Sequence, residues 1–137
     1  MIRAKRVYEP PAPSDGKRVL IDRLWPRGLS RANARVDDWR RDLAPSDELR
    51  RWFGHDPKKF SAFRERYRLE LLQHPDSLAQ LVMEAEHGRV TLVFAAKEAR
   101  FCNATVLKEL VEENLDRGGG GQPRRRRSPR VVAPAGR

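Results

Sequence analysis

Asp22-Arg23-Leu24-Trp25-Pro26-Arg27-Gly28 follows the apolar run Val19-Leu20-Ile21, and Lys97-Glu98-Ala99-Arg100 follows the run from Val90 to Ala96. Both cationic segments leave stretches that read as strands, and loops at strand C-termini surround the ligand crevice of an open parallel sheet. If the two converge, Arg23 and Arg27 would bind a phosphate or carboxylate, because guanidinium donors match such anions in a fork. Lys97 would add charge and Asn103 would orient the anion. A helix starting near Cys102 or Asn103 would bring free amides and a favourable dipole to the same place. Pro26 holds Trp25 extended and Gly28 permits a sharp turn, so the first loop reads as shaped. A plainer reading stands beside this one: Arg23 and Arg27 pair with Asp22, Asp37 or Asp38, and Trp25 covers the core rather than stacking on a base or sugar ring.

Two further side chains are catalytic candidates. Cys102, near Lys97 and Arg100 at an expected helix start, has a setting that stabilises a thiolate, yet no His adjoins it in sequence to act as its base. Unactivated, such a cysteine packs as a small hydrophobe. His55, in Trp52-Phe53-Gly54-His55-Asp56-Pro57, stands between two expected helices, where an imidazole either transfers a proton or caps and stacks. His74 and His87 fall near helix ends and need no functional reading. The only glycine run is Gly118 to Gly121, so Rossmann and Walker phosphate loops are excluded. There is no Ser elbow or carboxylate dyad, and three His with one Cys give no zinc spacing. No metal and no cofactor is expected.

Positioning these residues requires elements that the pattern outlines. Ile2 to Tyr8 alternates apolar and basic residues, Arg18 to Leu24 centres on Val19, Leu20 and Ile21, and Arg89 to Ala96 is a mostly apolar run of the kind buried on both sheet faces. Glu9 to Gly16, with three prolines, is expected to lie at the surface as a loop. Ser46 caps a helix through Phe53 that ends at Gly54, and Asp56-Pro57 opens another to about Gln73 with Phe60, Phe63, Tyr67 and Leu71 on its core face. Leu78, Leu81, Val82 and Ala85 mark a helix closed by Gly88, and Ala104, Leu107, Leu110 and Val111 mark the last. Residues 30–43 fit neither period, with Trp39 and Leu43 as apolar anchors, and residues 34–39 leave room for a further strand. Long helical crossovers favour parallel pairing, so the fold class is α/β, a small, mainly parallel sheet flanked by helices.

The chain has 137 residues, 39% hydrophobic and 35% charged, which suits one domain with one core. Its formal charge of +10 is concentrated in residues 117–137, which hold seven Arg and no Asp or Glu, whereas residues 1–116 hold 22 basic and 19 acidic residues. The division expected is therefore a domain over residues 1–116 and a disordered Gly/Pro/Arg-rich tail over 117–137. No apolar run approaches the roughly 20 residues of a membrane span and no secretory stretch opens the chain, so a cytoplasmic protein without membrane contact is expected.

Asp22 through Gly28, Leu43-Ala44-Pro45-Ser46, Trp52 through Asp56, Phe63-Arg64-x-x-Tyr67 and Ala95-Ala96-Lys97, in this order and spacing, resemble the YeaO-like family over nearly all of residues 1–116. The family is a bacterial domain of unknown function, and the resemblance implies a small cytoplasmic α/β protein without an assigned substrate or established catalytic residue. Its pattern often follows Ala-Ala-Lys with an acidic residue and then His-Asn. Phe101 stands here where His is usual, which leaves Lys97, Glu98 and Asn103 as the polar positions carried over.

The function expected is binding of a small anionic ligand, phosphate- or carboxylate-bearing, at the strand C-terminal loops, with or without a reaction. The ligand-binding residues would be Arg23, Trp25, Arg27, Lys97 and Asn103, and the catalytic candidates are His55 and Cys102. The competing class is nucleic-acid or acidic-partner binding through the tail, where Arg124, Arg125, Arg126, Arg127 and Arg130 would release counterions from a phosphate backbone. Without interleaved aromatics to stack on bases, that contact would be weak and nonspecific. Nothing in the sequence sets an oligomeric state.

Overall fold

The structure, a computed structural model, describes residues 1–119. Four strands form one sheet: β1 (Ile2–Arg6), β2 (Lys17–Leu20), β3 (Asp38–Trp39) and β4 (Val90–Phe94). The order across the sheet is β1-β4-β2-β3 and every pairing is parallel. β4, the apolar run, takes a central place, with Leu92 opposite Ala4 of β1 and Val19 of β2. All five of its residues are buried, as a strand covered on both faces requires. The short β3 occupies the interval left open for a further strand, held by Val19 opposite Asp38 and Leu20 opposite Trp39.

Side-chain alternation divides the core. Val19, Ile21, Val90, Leu92 and Phe94 face the helices α2 (Asp47–Phe53), α3 (Phe60–Leu71), α4 (Pro75–His87) and α5 (Asn103–Gly119). The expected stripe on α3 is there, with Phe63, Tyr67 and Leu71 buried and Phe60 partly buried against them. Leu20 and Val93 point the other way and meet Val7, Ala34, Trp25 and Trp39, under a thinner cover of loops and the single turn α1 (Arg31–Ala34). The caps also follow the sequence: Ser46 Oγ accepts the Leu49 amide, and Gly54 closes α2 in the left-handed conformation, φ 55°. Asp56 caps a 3₁₀ turn over Pro57–Lys59, and α3 starts after it at Phe60.

β1 and β2 run parallel, so the chain between them must return along the sheet, a task usually given to a helix. Here residues 7–16 do it, with prolines holding much of the path extended. The segment was expected at the surface, and most of it is exposed, but Asp15 is buried. Its carboxylate lies 2.7 Å from Arg18 Nη1 and 3.0 Å from Lys5 Nζ, and it accepts the Ala12 amide. Burial pushes this carboxyl up, but the Ala12, Lys5 and Arg18 hydrogen bonds outweigh that and hold it below its ordinary value. A loop composition cannot reveal a buried acid whose cationic partners sit on two different strands.

α5 runs through Arg117 into the glycines, so the helix continues past the position where the tail was expected to start. Arg124 to Arg127 and Arg130 lie outside the described residues, as does most of the stretch expected to be disordered. Among the described residues no helix is long and apolar enough to cross a membrane.

Candidate functional site

A cleft of about 240 Å³ opens at the C-terminal ends of β2 and β4. One wall is the segment from Asp22 to Arg27, and the opposite wall carries Arg50 and Phe53 of α2, His55 and Phe63, with Ala95, Ala96, Cys102 and Asn103 on the remaining side. Parallel pairing puts the ends of β2 and β4 side by side, so the two loops singled out from the sequence start as neighbours. Tyr8 ties the first of them down, its hydroxyl donating to the Arg27 carbonyl at 2.8 Å.

Asp22 holds this end of the sheet together. Its Oδ2 accepts the Ala95 amide at 2.8 Å and its Oδ1 accepts Asn103 Nδ2 at 3.0 Å, so one carboxylate bridges the exits of β2 and β4 and the start of α5. Asn103 Nδ2 also donates to the Ile21 carbonyl at 3.0 Å. Burial pushes the Asp22 carboxyl above its ordinary value, against the pull of the Asn103 and Ala95 hydrogen bonds and of the charges on His55 and Arg50. From the sequence, Asp22 is expected only as a partner for Arg23 or Arg27. An acid directly after a buried strand run, at the C-terminal edge, was the signal available.

Arg23 and Arg27 line the cleft as expected, but neither makes the ion pairs of the plainer reading. Arg23 Nε lies 3.6 Å from Asp47 and donates to the Pro45 carbonyl, Asp37 accepts the Arg18 amide, and Asp38 pairs with Arg40. No carboxylate of the described residues lies within ion-pair distance of Arg27, which is exposed. Arg50, missed from the sequence, adds a third guanidinium 3.3 Å from Asp47. Its place depends on α2 packing across the sheet end, which no local pattern encodes. Lys97 is exposed and does not line the cleft, because the chain turns away after Ala96 into a 3₁₀ turn, Ala99–Phe101, whose Glu98 cap accepts the Arg100 amide. Trp25 lines the cleft while its indole N–H donates to the Leu29 carbonyl at 2.6 Å and its ring meets Trp39 edge-on. The indole is thus anchored in the second core and shows the cleft only part of its surface.

His55 is exposed and has φ 58°, a left-handed conformation directly after that of Gly54. The tight turn aims the imidazole at the cleft rather than along a helix. Cys102 is buried and its Sγ donates to the Ala99 carbonyl at 3.3 Å. Burial pushes the thiol up, although the Thr105 and Ala104 amides at the start of α5 pull the other way. Those amides therefore serve Cys102, and Arg100, which was expected to favour a thiolate, pairs with Glu98 at 3.2 Å. Iodoacetamide is accordingly expected to modify Cys102 in the folded protein far more slowly than it modifies a free cysteine at neutral pH, with full reactivity restored in denaturant. Fast labelling of the folded chain, followed by mass spectrometry, would contradict the buried-thiol assignment.

Among the described residues no group of three or more His, Cys, Asp or Glu side chains is placed to hold a metal ion. The chemistry on offer is electrostatic: guanidiniums around an apolar floor, with a half-buried carboxylate already engaged by the backbone and Asn103.

Residues 1–132 match the family model described as the inactive DUF488-N3 subclade. The chain is 40% identical over 108 residues to the uncharacterized protein YeaO of Escherichia coli (strain K12), an overlap covering 79% of this chain and 94% of that protein. It is 42% identical over 110 residues to the uncharacterized protein Rv3073c of Mycobacterium tuberculosis (strain ATCC 25618 / H37Rv), covering 80% of this chain and 92% of that one. The same figures hold for the uncharacterized protein Mb3100c of Mycobacterium bovis (strain ATCC BAA-935 / AF2122/97). No solved structure matches. The YeaO-like resemblance carried by the sequence motifs is thereby borne out.

Proposed function

This chain belongs to the inactive DUF488-N3 subclade, and from that membership we propose that it binds, rather than transforms, a small anion carrying an apolar group in the cleft at the ends of β2 and β4. The observation that carries the reading is the charge of the cleft: Arg23, Arg27 and Arg50 line it, and the one carboxylate among its lining residues, Asp22, is turned onto Ala95 and Asn103. Arg27, without an ion-pair partner among the described residues, is the guanidinium free to take a phosphate or carboxylate, and Arg23 and Arg50 share Asp47 beside it. Phe53, Phe63, Leu24 and Pro45 supply apolar surface for the rest of the ligand. The volume lies below the roughly 300–1,000 Å³ of drug-sized sites, which favours a compact molecule over a dinucleotide.

Membership of an inactive subclade supports binding over catalysis, and so does a Cys102 held as a thiol. His55 then serves as a rim donor to the bound anion. We place the protein in the cytoplasm on its lone cysteine, which has no second cysteine in this sequence to pair with.

Phenyl phosphate and phenylacetate, titrated against inorganic phosphate by isothermal calorimetry, test the reading. The aryl anions are expected to bind more tightly than phosphate, and Arg27→Ala to weaken them by about tenfold or more, the loss of a charge-assisted hydrogen bond. No binding by any of the three, or equal affinity in Arg27→Ala, would overturn it.

A further inference from the structure

On the face of the sheet opposite α2 to α5, the chain builds a second cationic surface, which shares Trp25 with the cleft but none of its arginines. Residues 28–41, past the arginines that line the cleft, hold four arginines against two acids, Asp37 and Asp38. Asp38 lies 2.8 Å from Arg40 Nε, and Asp37 accepts the Arg18 amide at 2.8 Å. Arg31, Arg35 and Arg41 are exposed, and no described carboxylate pairs with any of them. Two of the three lie over aromatic rings. The Arg31 guanidinium lies 4.5 Å from the Trp25 ring centre and 5.9 Å from that of Trp39, and Arg41 covers Trp39 at 3.7 Å. The two indoles brace one another at 5.4 Å, and Trp39 is pinned by its N–H donating to the Asp22 carbonyl. Arg35 closes α1 with φ 51°, a left-handed conformation that is uncommon for an arginine.

An arginine stacked on tryptophan keeps its five in-plane donors free while its rotamers are already restricted, so less entropy is lost when it meets an anion. Its outer face also offers a plane on which an unpaired base can stack. We propose that the surface formed by Arg31 and Arg41 over Trp25 and Trp39, with Arg35 beside them, binds single-stranded nucleic acid, the guanidinium edges contacting phosphates and their planes contacting bases. Duplex is disfavoured because α1 is a single turn and gives no helix to enter a major groove. The surface differs from the Arg-rich tail in having the interleaved aromatics that the tail lacks.

The test uses the full chain with Arg124, Arg125, Arg126 and Arg127 replaced by Ser, so that the tail does not dominate, and a labelled twelve-nucleotide oligo(dT) read by fluorescence anisotropy. Arg31→Ala with Arg41→Ala is expected to weaken binding at least tenfold and to lower the salt dependence by about one to two charges. Arg31→Lys with Arg41→Lys, which keeps charge and fold but loses the planar stack, is expected to retain the salt dependence and still lose affinity severalfold. Unchanged affinity in the Lys pair overturns the stacking role. Binding of inorganic polyphosphate or polyglutamate as tight as that of the oligonucleotide overturns nucleic acid as the partner, as does failure of the oligonucleotide to bind the Ser-substituted chain.

Discussion

Asp15→Ala is expected to destabilise the protein by about 3–5 kcal/mol, the range for removing one partner of a buried ion pair. Asp15 is 1% exposed and Arg18 3% exposed, so the substitution leaves a buried guanidinium with its Nη1 donor lacking the carboxylate at 2.7 Å. It also strips the acceptor from the Ala12 amide and from Lys5. Urea denaturation followed by far-ultraviolet circular dichroism measures the effect, and a change under about 1 kcal/mol would show that the network is not the clamp described. The acid limb offers a second reading. Because the folded Asp15 carboxyl sits below its ordinary value of 3.8, its contribution is fully present above that pH and is lost as pH falls through the lower folded value. Glu84, held down to about 2 chiefly by its hydrogen bond from Arg40, adds to the same limb. The wild-type protein should therefore lose stability below about pH 4, and Asp15→Ala should lose less of it over that interval.

Gly16→Ala comes next in size. Gly16 has φ 64° and ψ −135°, a region that only glycine enters freely, and a Cβ there would lie 2.3 Å from the Arg89 carbonyl oxygen and 2.8 Å from the Arg89 Cβ. The conformation alone costs roughly 1–3 kcal/mol, and the overlap adds to it because that carbonyl accepts the Lys17 amide at 2.9 Å and cannot retreat without parting β2 from β4. Gly28→Ala is the internal control: its φ is 75°, but a Cβ there meets nothing within 4 Å, so only the conformational part is lost. Thermal unfolding of the two variants separates strain from overlap. Equal losses would mean that the start of β2 gives way more easily than the backbone contact implies.

Both predictions concern the N-terminal end of the sheet, whereas the cleft lies at the other end, and the two ends were not equally readable. What depends on short-range pattern could be read directly. The apolar run of β4, the Ser46 and Gly54 caps of α2 and the Phe63, Tyr67 and Leu71 stripe follow from period and capping chemistry within a few residues. So did the loop from Asp22 to Gly28, whose proline, glycine and paired arginines mark a shaped cationic turn at a strand end.

The sequence by itself therefore determined the α/β class, the family, and Arg23 and Arg27 as cations beside the exit of β2. Only the tertiary structure decided which groups stand opposite them. Arg50 joined the cleft and Lys97 left it because helix packing and a 3₁₀ turn set their directions, and neither is written in spacing along the chain. Asp15 and Asp22 look alike in sequence as acids among basic residues, yet the fold engages one with Lys5 and Arg18 and bridges two strand ends with the other. Asp15 takes Arg18 from three residues on and Lys5 from β1, whereas Asp22 reaches Ala95 and Asn103, which lie far along the chain and come within about 3 Å only because β2 and β4 pair in parallel.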